Sequence, residues 1–328
     1  MIKRLIFLSV LLLGMATTYL YWYAHTPLPL KQVPLVFDLK PGSNLVSVIS
    51  QMQAKGVLNE GLRFRILVRV MGKAEKIKAG FYTLNHSVTP LQLLTKLTEG
   101  EVTLHEIVFI EGWTFAQMRK ALDAHPLVRH DTLGLSEHAV LQLLNVPIEY
   151  AEGWFFPAKY YIDTGSSDVS ILRRAYATMQ LRLQQEWNAR DPGLPYRSPL
   201  EALIMASIVE KETGAERERP LIAAVFINRL RMGMRLQTDP TVIYGIGSNY
   251  DGNIRKRDLL TDTPYNTYTR SGLPPTPIAM PGLDSIKAAL HPAHTNDIYF
   301  VAKGDGTHTF STNLTDHNRA VARYQKSG

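Results

Sequence analysis

Past the middle of the chain stands Val209-Glu210-Lys211-Glu212-Thr213, with two carboxylates separated by one residue at the end of an apolar run. A carboxyl held among apolar side chains is desolvated, and desolvation raises its pKa. A raised pKa is what a general acid requires near neutral pH. The helix carrying the pair is signalled at both ends: Ser198 can cap it, Pro199 suits its first position, Glu201 stands where a capping box needs it, and Gly214 stops it. At ~100° per residue, Glu210 falls within about 20° of Leu203, on a side shared with Leu200 and Ser207, and Glu212 is turned about 160° away. The two glutamates therefore cannot serve one site from one helix, and the apolar stripe selects Glu210. The same spacing also allows Glu210 to be a buried carboxylate paired with Arg or Lys, the commoner use of such a residue.

The elements that must position this helix follow from periodicity and punctuation. Val33 to Leu39 predicts a strand, Leu45 to Lys55 a helix capped at Gly42-Ser43-Asn44, and Glu60 to Met71 a second helix stopped by Gly72. Lys78 to Leu84 returns as a strand, and Thr89-Pro90 opens a helix that ends at Gly100. Strand, two helices, strand resembles the LysM module, a small unit of wall-binding proteins; a plain structural spacer fits the pattern equally. Thr103 to Ile110 predicts a strand and Phe115 to Ala124 a helix. Glu152-Gly153-Trp154-Phe155-Phe156-Pro157, followed by Tyr160-Tyr161, is either a packed corner or a groove on which rings can stack. Asp168 to Arg190 is a long amphipathic helix closed by Asp191-Pro192-Gly193.

Composition narrows the class. The 328 residues suffice for two domains, and 45% hydrophobic with 20% charged residues is ordinary for a globular protein. The net charge of +7 suits an anionic partner such as a membrane surface or wall polymer. No Lys/Arg run with interleaved aromatics appears, so nucleic acid is not an expected partner. Cysteine is absent, which removes disulfides, thiolate zinc sites and thiol nucleophiles. After Lys3-Arg4, residues 5–23 run without a charge and finish in Tyr19, Tyr21, Trp22 and Tyr23. About 20 such residues span a bilayer. The basic pair keeps the N-terminus cytoplasmic, the rings form an interfacial belt, and the lack of small residues argues against signal cleavage. The Pro-containing stretch from His25 to Pro34 is expected to lift the following domain off the membrane.

Beyond Gly214 a series of motifs comes in order: Pro220 to Gly233, Met234-Arg-Leu-Gln-Thr-Asp-Pro-Thr-Val-Ile-Tyr-Gly245, Tyr265-Asn-Thr-Tyr268, Gly272-Leu-Pro-Pro275, Ala279-Met-Pro-Gly282, His291-Pro-Ala-His294 and His308-Thr-Phe310. With the anchor and the Val-Glu-Lys-Glu helix, this series resembles the endolytic murein transglycosylases, the YceG-like family, from about residue 30 to the end. The resemblance implies cleavage of the β-1,4 bond between N-acetylmuramic acid and N-acetylglucosamine within nascent peptidoglycan strands. It also implies 1,6-anhydro ends, termination of strand growth beside the peptidoglycan synthases (penicillin-binding proteins), and an inner-membrane enzyme with a periplasmic catalytic domain. Carried onto this sequence, it puts the catalytic acid at the first glutamate of the motif, Glu210. One carboxyl suffices when the nucleophile is the substrate's own 6-hydroxyl, whereas ordinary glycosidases need two. Gln237, Thr238, Asp239, Tyr265, Asn266 and Tyr268 are the expected sugar contacts, each with a turn-stabilising alternative. Glu152 is a further groove candidate, and Asp239 would be the second carboxylate of a hydrolytic muramidase. A silent wall-binding or scaffold protein is the alternative outside enzymes. His291, His294, His308 and His317 invite a metal, but Pro292 spoils regular ligand spacing, and no cofactor is expected. The expected architecture is α+β: a cytoplasmic tail at 1–4, a transmembrane helix at 5–23, a linker at 24–32, a LysM-like subdomain at 33–102 and a mixed catalytic domain at 103–328.

Overall fold

A computed structural model of the chain describes residues 2–30, 33, 35–40, 42–84, 86–99, 105–163 and 165–325. It is a mixed α+β protein in two compact units, one of residues 1–105 with 161–165, the other of 106–160 with 166–328.

The first unit contains α1 (Ile2–His25), β1 (Leu35–Leu39), α2 (Leu45–Ala54), α3 (Leu62–Val70), β2 (Gly80–Leu84) and α4 (Pro90–Glu99). β1 and β2 pair antiparallel, from Leu35 opposite Leu84 to Leu39 opposite Gly80. Strand alternation turns Leu35, Phe37 and Leu39 inward onto Met52 of α2, Phe64 of α3 and Leu93 of α4, all buried. The helices start where short polar side chains cap them. Asn44 Oδ1 accepts from Ser47 N at 2.9 Å, and Thr89 Oγ1 accepts from Gln92 N at 3.2 Å.

Among the described residues, α1 is the one helix long and apolar enough to cross a membrane. The stretch after it is not a free spacer. Tyr23, Ala24 and Leu28 are buried in the core of the first unit, Leu20 packs against that core, and Leu28 N donates to Val88 O at 2.9 Å. The expected lifting linker is therefore partly absorbed into the fold, because its leucines between the prolines bury apolar surface. Residues 31, 32 and 34 of that linker lie outside the described residues, as do Thr103 and Leu104 of the expected third strand.

Two short strands, β3 (His105–Val108) and β5 (Lys159–Ile162), flank a segment holding α5 (Phe115–Ala124), β4 (Val128–Arg129) and α6 (Glu137–Leu144). The second unit continues with β6 (Ser166–Ser167), α7 (Asp168–Ala189), α8 (Pro199–Glu212), α9 (Arg219–Arg231), α10 (Asp239–Ile246), α11 (Lys256–Leu260), α12 (Leu283–Leu290), β7 (Tyr299–Ala302), β8 (His308–Ser311) and α13 (Leu314–Tyr324). β4 and β6 are parallel, and β7 and β8 antiparallel. The core is built from α7, α8, α9 and α12, through Met179, Leu203, Met205, Phe226, Ile286 and Leu290. Within it, every residue of α8 from Ala202 to Val209 is buried. A helix apolar all round belongs at the centre of a domain. Beyond this buried stretch the last turn of α8 reaches polar surroundings again, and it carries Glu210 and Glu212.

Candidate functional site

The sequence favours Glu210, and its surroundings are well defined. Its side chain is only 7% exposed. Oε2 accepts from Gly282 N at 3.0 Å and from Ser285 Oγ at 2.7 Å, both at the start of α12. Oε1 lies 3.9 Å from Arg219 Nη2, and the same guanidinium lies 3.9 Å from Asp284 Oδ2. The Glu111 carboxyl fills the space above Gly282 that a Cβ would need. Burial, and after it the charge of Glu210, pushes the pKa of Glu111 up. Glu210 is thus a largely buried carboxylate tied to the start of α12, with an arginine nearby. Glu111, which begins the break after β3, belongs to this cluster and was not among the expected site residues. Nothing in its Glu-Gly-Trp-Thr context distinguishes it from an ordinary turn glutamate.

Glu212 leaves α8 in a different direction and faces a cleft of about 530 Å³. Gln237, Asp239 and Tyr268, three of the expected sugar contacts, line the same cleft. Thr238, a fourth, donates its hydroxyl to Glu212 Oε2 at 2.8 Å. Burial pushes the Glu212 carboxyl up to about 7, and the charge of Asp239 adds to the rise; Thr238, His308 and Arg229 pull the other way. The grouping brings Glu212, and not Glu210, together with these expected sugar contacts. The stripe argument has no force on a helix buried all round, because no side of α8 is more apolar than another. The rotation of about 160° between the glutamates does separate them as expected, and it is Glu212 that meets the polar loops.

Asp239 and Pro240 form the first turn of α10. Proline is well suited to that turn. Gln237, just before it, holds a left-handed backbone at φ 51°, with its N–H on Thr267 O at 3.2 Å. Thr238 N donates to Thr267 Oγ1 at 3.1 Å, which fixes the threonine that bonds Glu212. Asp239 Oδ1 accepts from Tyr268 OH at 2.6 Å. Opposite stands Arg229 of α9, buried, its Nε on Ile298 O and an Nη on Leu236 O, both at 2.7 Å. Its guanidinium lies 5.2 Å from the centre of the Tyr299 ring, which in turn stacks on His317 at 4.9 Å. Burial and the Arg229 charge hold the His317 pKa down. His308 lines the cleft with Nδ1 2.7 Å from Glu218 Oε2.

The remaining expected residues lie elsewhere. Asn266 is fully buried, and its Nδ2 donates to Asp258 O, Leu259 O and Thr261 O at 3.3, 3.1 and 2.7 Å, while Oδ1 accepts from Tyr268 N at 2.8 Å. It shapes the loop that presents Tyr268. Tyr265 packs edge-on to Tyr244 at 4.8 Å and shares a 2.9 Å hydrogen bond with Thr276 Oγ1. Tyr244 OH donates to Glu152 Oε2 at 3.1 Å, and Glu152 Oε1 accepts from Phe115 N at 3.0 Å, the first residue of α5. Burial pushes Glu152 up to about 7 as well, but its bonds make it an anchor for α5. The corner beside it is packed: Phe155 is buried and stacks on Phe115 at 5.0 Å. His291 Nδ1 lies 2.9 Å from Asp191 Oδ1, and His294 lines a separate cavity of about 390 Å³.

The family model described as the YceG-like family matches residues 37–323. A protein of Bacillus subtilis (strain 168) named endolytic murein transglycosylase is 31% identical over 307 residues, covering 88% of this chain and 84% of its own length. A Streptococcus pneumoniae serotype 2 protein of the same name is 28% identical across 99% of this chain, which spans 65% of that relative's length. Among solved structures, a Listeria monocytogenes protein described as YceG-like, 29% identical, superposes with a TM-score of 0.57 over 87% of this chain and 97% of its own.

Proposed function

We propose that this chain, which belongs to the YceG-like family, is an endolytic murein transglycosylase in which Glu212, rather than Glu210, is the general acid. The observation that carries this reading is one carboxyl raised to about 7 on a cleft lined by Gln237, Asp239 and Tyr268. Such a carboxyl is about half protonated at neutral pH, against well under a hundredth for an ordinary glutamate, and suits proton donation to a glycosidic oxygen. Once ionised, it takes the proton of the muramyl 6-hydroxyl as that oxygen closes on C1, giving a 1,6-anhydro end with no water consumed. The 6-hydroxyl belongs to the same sugar, so the attack gains from proximity. The negative charge of Asp239 keeps Glu212 protonated and faces the positive charge that develops at C1. Tyr268 and Thr238 hold the two carboxyls in place. Gln237, set in an uncommon backbone conformation, and the Tyr299 ring are the proposed sugar contacts.

Digestion of purified peptidoglycan, with the product ends read by mass spectrometry, tests the reading. Anhydromuramyl ends are expected, lost in Glu212→Gln and kept in Glu210→Gln. Reducing ends would instead indicate a hydrolytic muramidase using Glu212 with Asp239, and no cleavage a wall-binding or scaffold protein. Loss of activity in Glu210→Gln alone would return the acid to Glu210.

The first unit supports a LysM-like assignment through its order β1, α2, α3, β2 and its antiparallel β1–β2 pair. In the proposed topology α1 is an uncleaved anchor in the cytoplasmic (inner) membrane, its N-terminus cytoplasmic after Lys3-Arg4 and the remainder on the wall side. Nascent glycan strands are then the substrate, and the synthases that extrude them are the proposed neighbours.

A further inference from the structure

We propose that α3 is an interfacial helix that lays the first unit on the surface of an anionic bilayer, a surface contact beyond the α1 anchor. The proposal rests on reading α1 as an uncleaved membrane span. α3 buries Phe64, Leu67 and Val68 and leaves the opposite face uncovered. On that face Leu62, Ile66 and Val70 are 66%, 45% and 69% exposed. Spaced by four, they span an arc of about 80°. On one side of the arc stand Arg65 and Arg69, on the other Arg63, which is also ion-paired with Glu60, and Lys73 comes just past the helix end. An apolar strip between cationic margins is the pattern of a helix that floats in the headgroup layer. A water-facing helix of a folded unit ordinarily shows no such strip.

The depth of α3 is set by α1. The Arg63 guanidinium lies 5.5 Å from the centre of the Tyr19 ring and 5.9 Å from that of Tyr23. These rings sit in the aromatic stretch that marks the outer membrane–water boundary. Tyr19 is one turn nearer the membrane centre than Tyr23, so the first turn of α3 stands level with the belt. Leu20, Tyr23 and Ala24 also pack into the unit's core, so the anchor continues directly into the body that bears α3. Exposed leucine, isoleucine and valine at that level meet acyl chains, and the arginines meet lipid phosphates. Each cation near an anionic leaflet strengthens surface binding by about five-fold. An anionic lipid surface is therefore the occupant that both the charge and the placement favour.

The chain has no cysteine, so single-cysteine labelling of the full-length protein needs no background substitutions. Ile66→Cys, Leu11→Cys and Asp305→Cys are each labelled with an environment-sensitive fluorophore and reconstituted. Vesicles of phosphatidylethanolamine with phosphatidylglycerol are compared with vesicles of phosphatidylcholine, each carrying nitroxide lipids as quenchers. The label at 66 is expected to be quenched at least about two-fold more strongly by shallow nitroxide in the anionic vesicles than the label at 305. That excess should fall in neutral vesicles and in an Arg65→Glu/Arg69→Glu background. Quenching at 66 equal to that at 305, with the label at 11 quenched by deep nitroxide, overturns the proposal but leaves the anchor standing. A label at 11 that is not quenched overturns the anchor reading and the proposal with it. Equal quenching at 66 in both lipids overturns the role given to the arginines.

Discussion

Glu210 and Glu212 share a turn of helix, a chemistry and a sequence motif, and differ in what they touch. Glu210 is bound by Ser285 and the Gly282 amide beside Arg219, whereas Glu212 meets Thr238 at the wall of a cleft. Replacing Glu212 by Gln is expected to lower turnover on peptidoglycan by about 10²–10⁴-fold, the usual contribution of a general acid. Replacing Glu210 by Gln should leave turnover within about tenfold but cost about 2 kcal/mol of stability, measured by denaturant unfolding, because a buried ionic network is broken. With Glu212 raised to about 7, the rate should fall as pH rises through that value, since the acid then starts ionised. Removing a like charge lowers the pKa, so Asp239→Asn should shift this alkaline limb to lower pH. Removing the hydroxyl that stabilises the carboxylate should shift it upward in Thr238→Val. Opposite shifts in the two pH–rate profiles are the check.

At the scale of elements, α8 was legible in outline but not in what each of its last two glutamates meets. Ser198, Pro199 and Gly214 bound it where expected, although the Glu201 carboxylate bonds Arg197 N at 2.6 Å instead of closing the box on Ser198. Which glutamate faces the cleft was not legible, because an apolar stripe has meaning only on a helix with a wet side. The cleft itself joins α8, α9, the start of α10, β7, β8 and α13, and no local signal reports contacts between elements so far apart in sequence. Asn266 shows the same limit. Its motif suggested a sugar contact, but its three carbonyl partners give it the work of holding a loop together. Asn266→Ala should therefore destabilise the second unit by about 2–4 kcal/mol through stranded buried carbonyls. It should raise KM more than it lowers kcat by loosening Tyr268. Urea unfolding alongside steady-state kinetics separates the two effects.

For the molecule as a whole, Glu152 and Glu212 tie stability to pH in one direction. Both are raised from ordinary carboxyl values to about 7. Between the ordinary value and 7 the unfolded chain has released these protons while the folded chain still binds them. Stability therefore falls as pH rises through that window, by on the order of 3 kcal/mol for buried Glu152. The exposed Asp131 and Asp262, held at about 2 by Arg129 and Arg270, act only at lower pH. The thermal transition of the detergent-solubilised chain should lie higher at pH 5.5 than at pH 8, and Glu152→Gln should flatten that dependence. The burial of Tyr23, Ala24 and Leu28 reaches further, into biosynthesis. On the anchor reading Tyr23 and Ala24 belong both to a helix that the translocation machinery must release sideways into lipid and to an interior that must close in water. The first unit then has no complete interior until α1 has come to rest. A copy that stalls during insertion displays the vacated apolar seat to the proteases and holdases outside the membrane, so correct insertion is itself what marks a copy as finished.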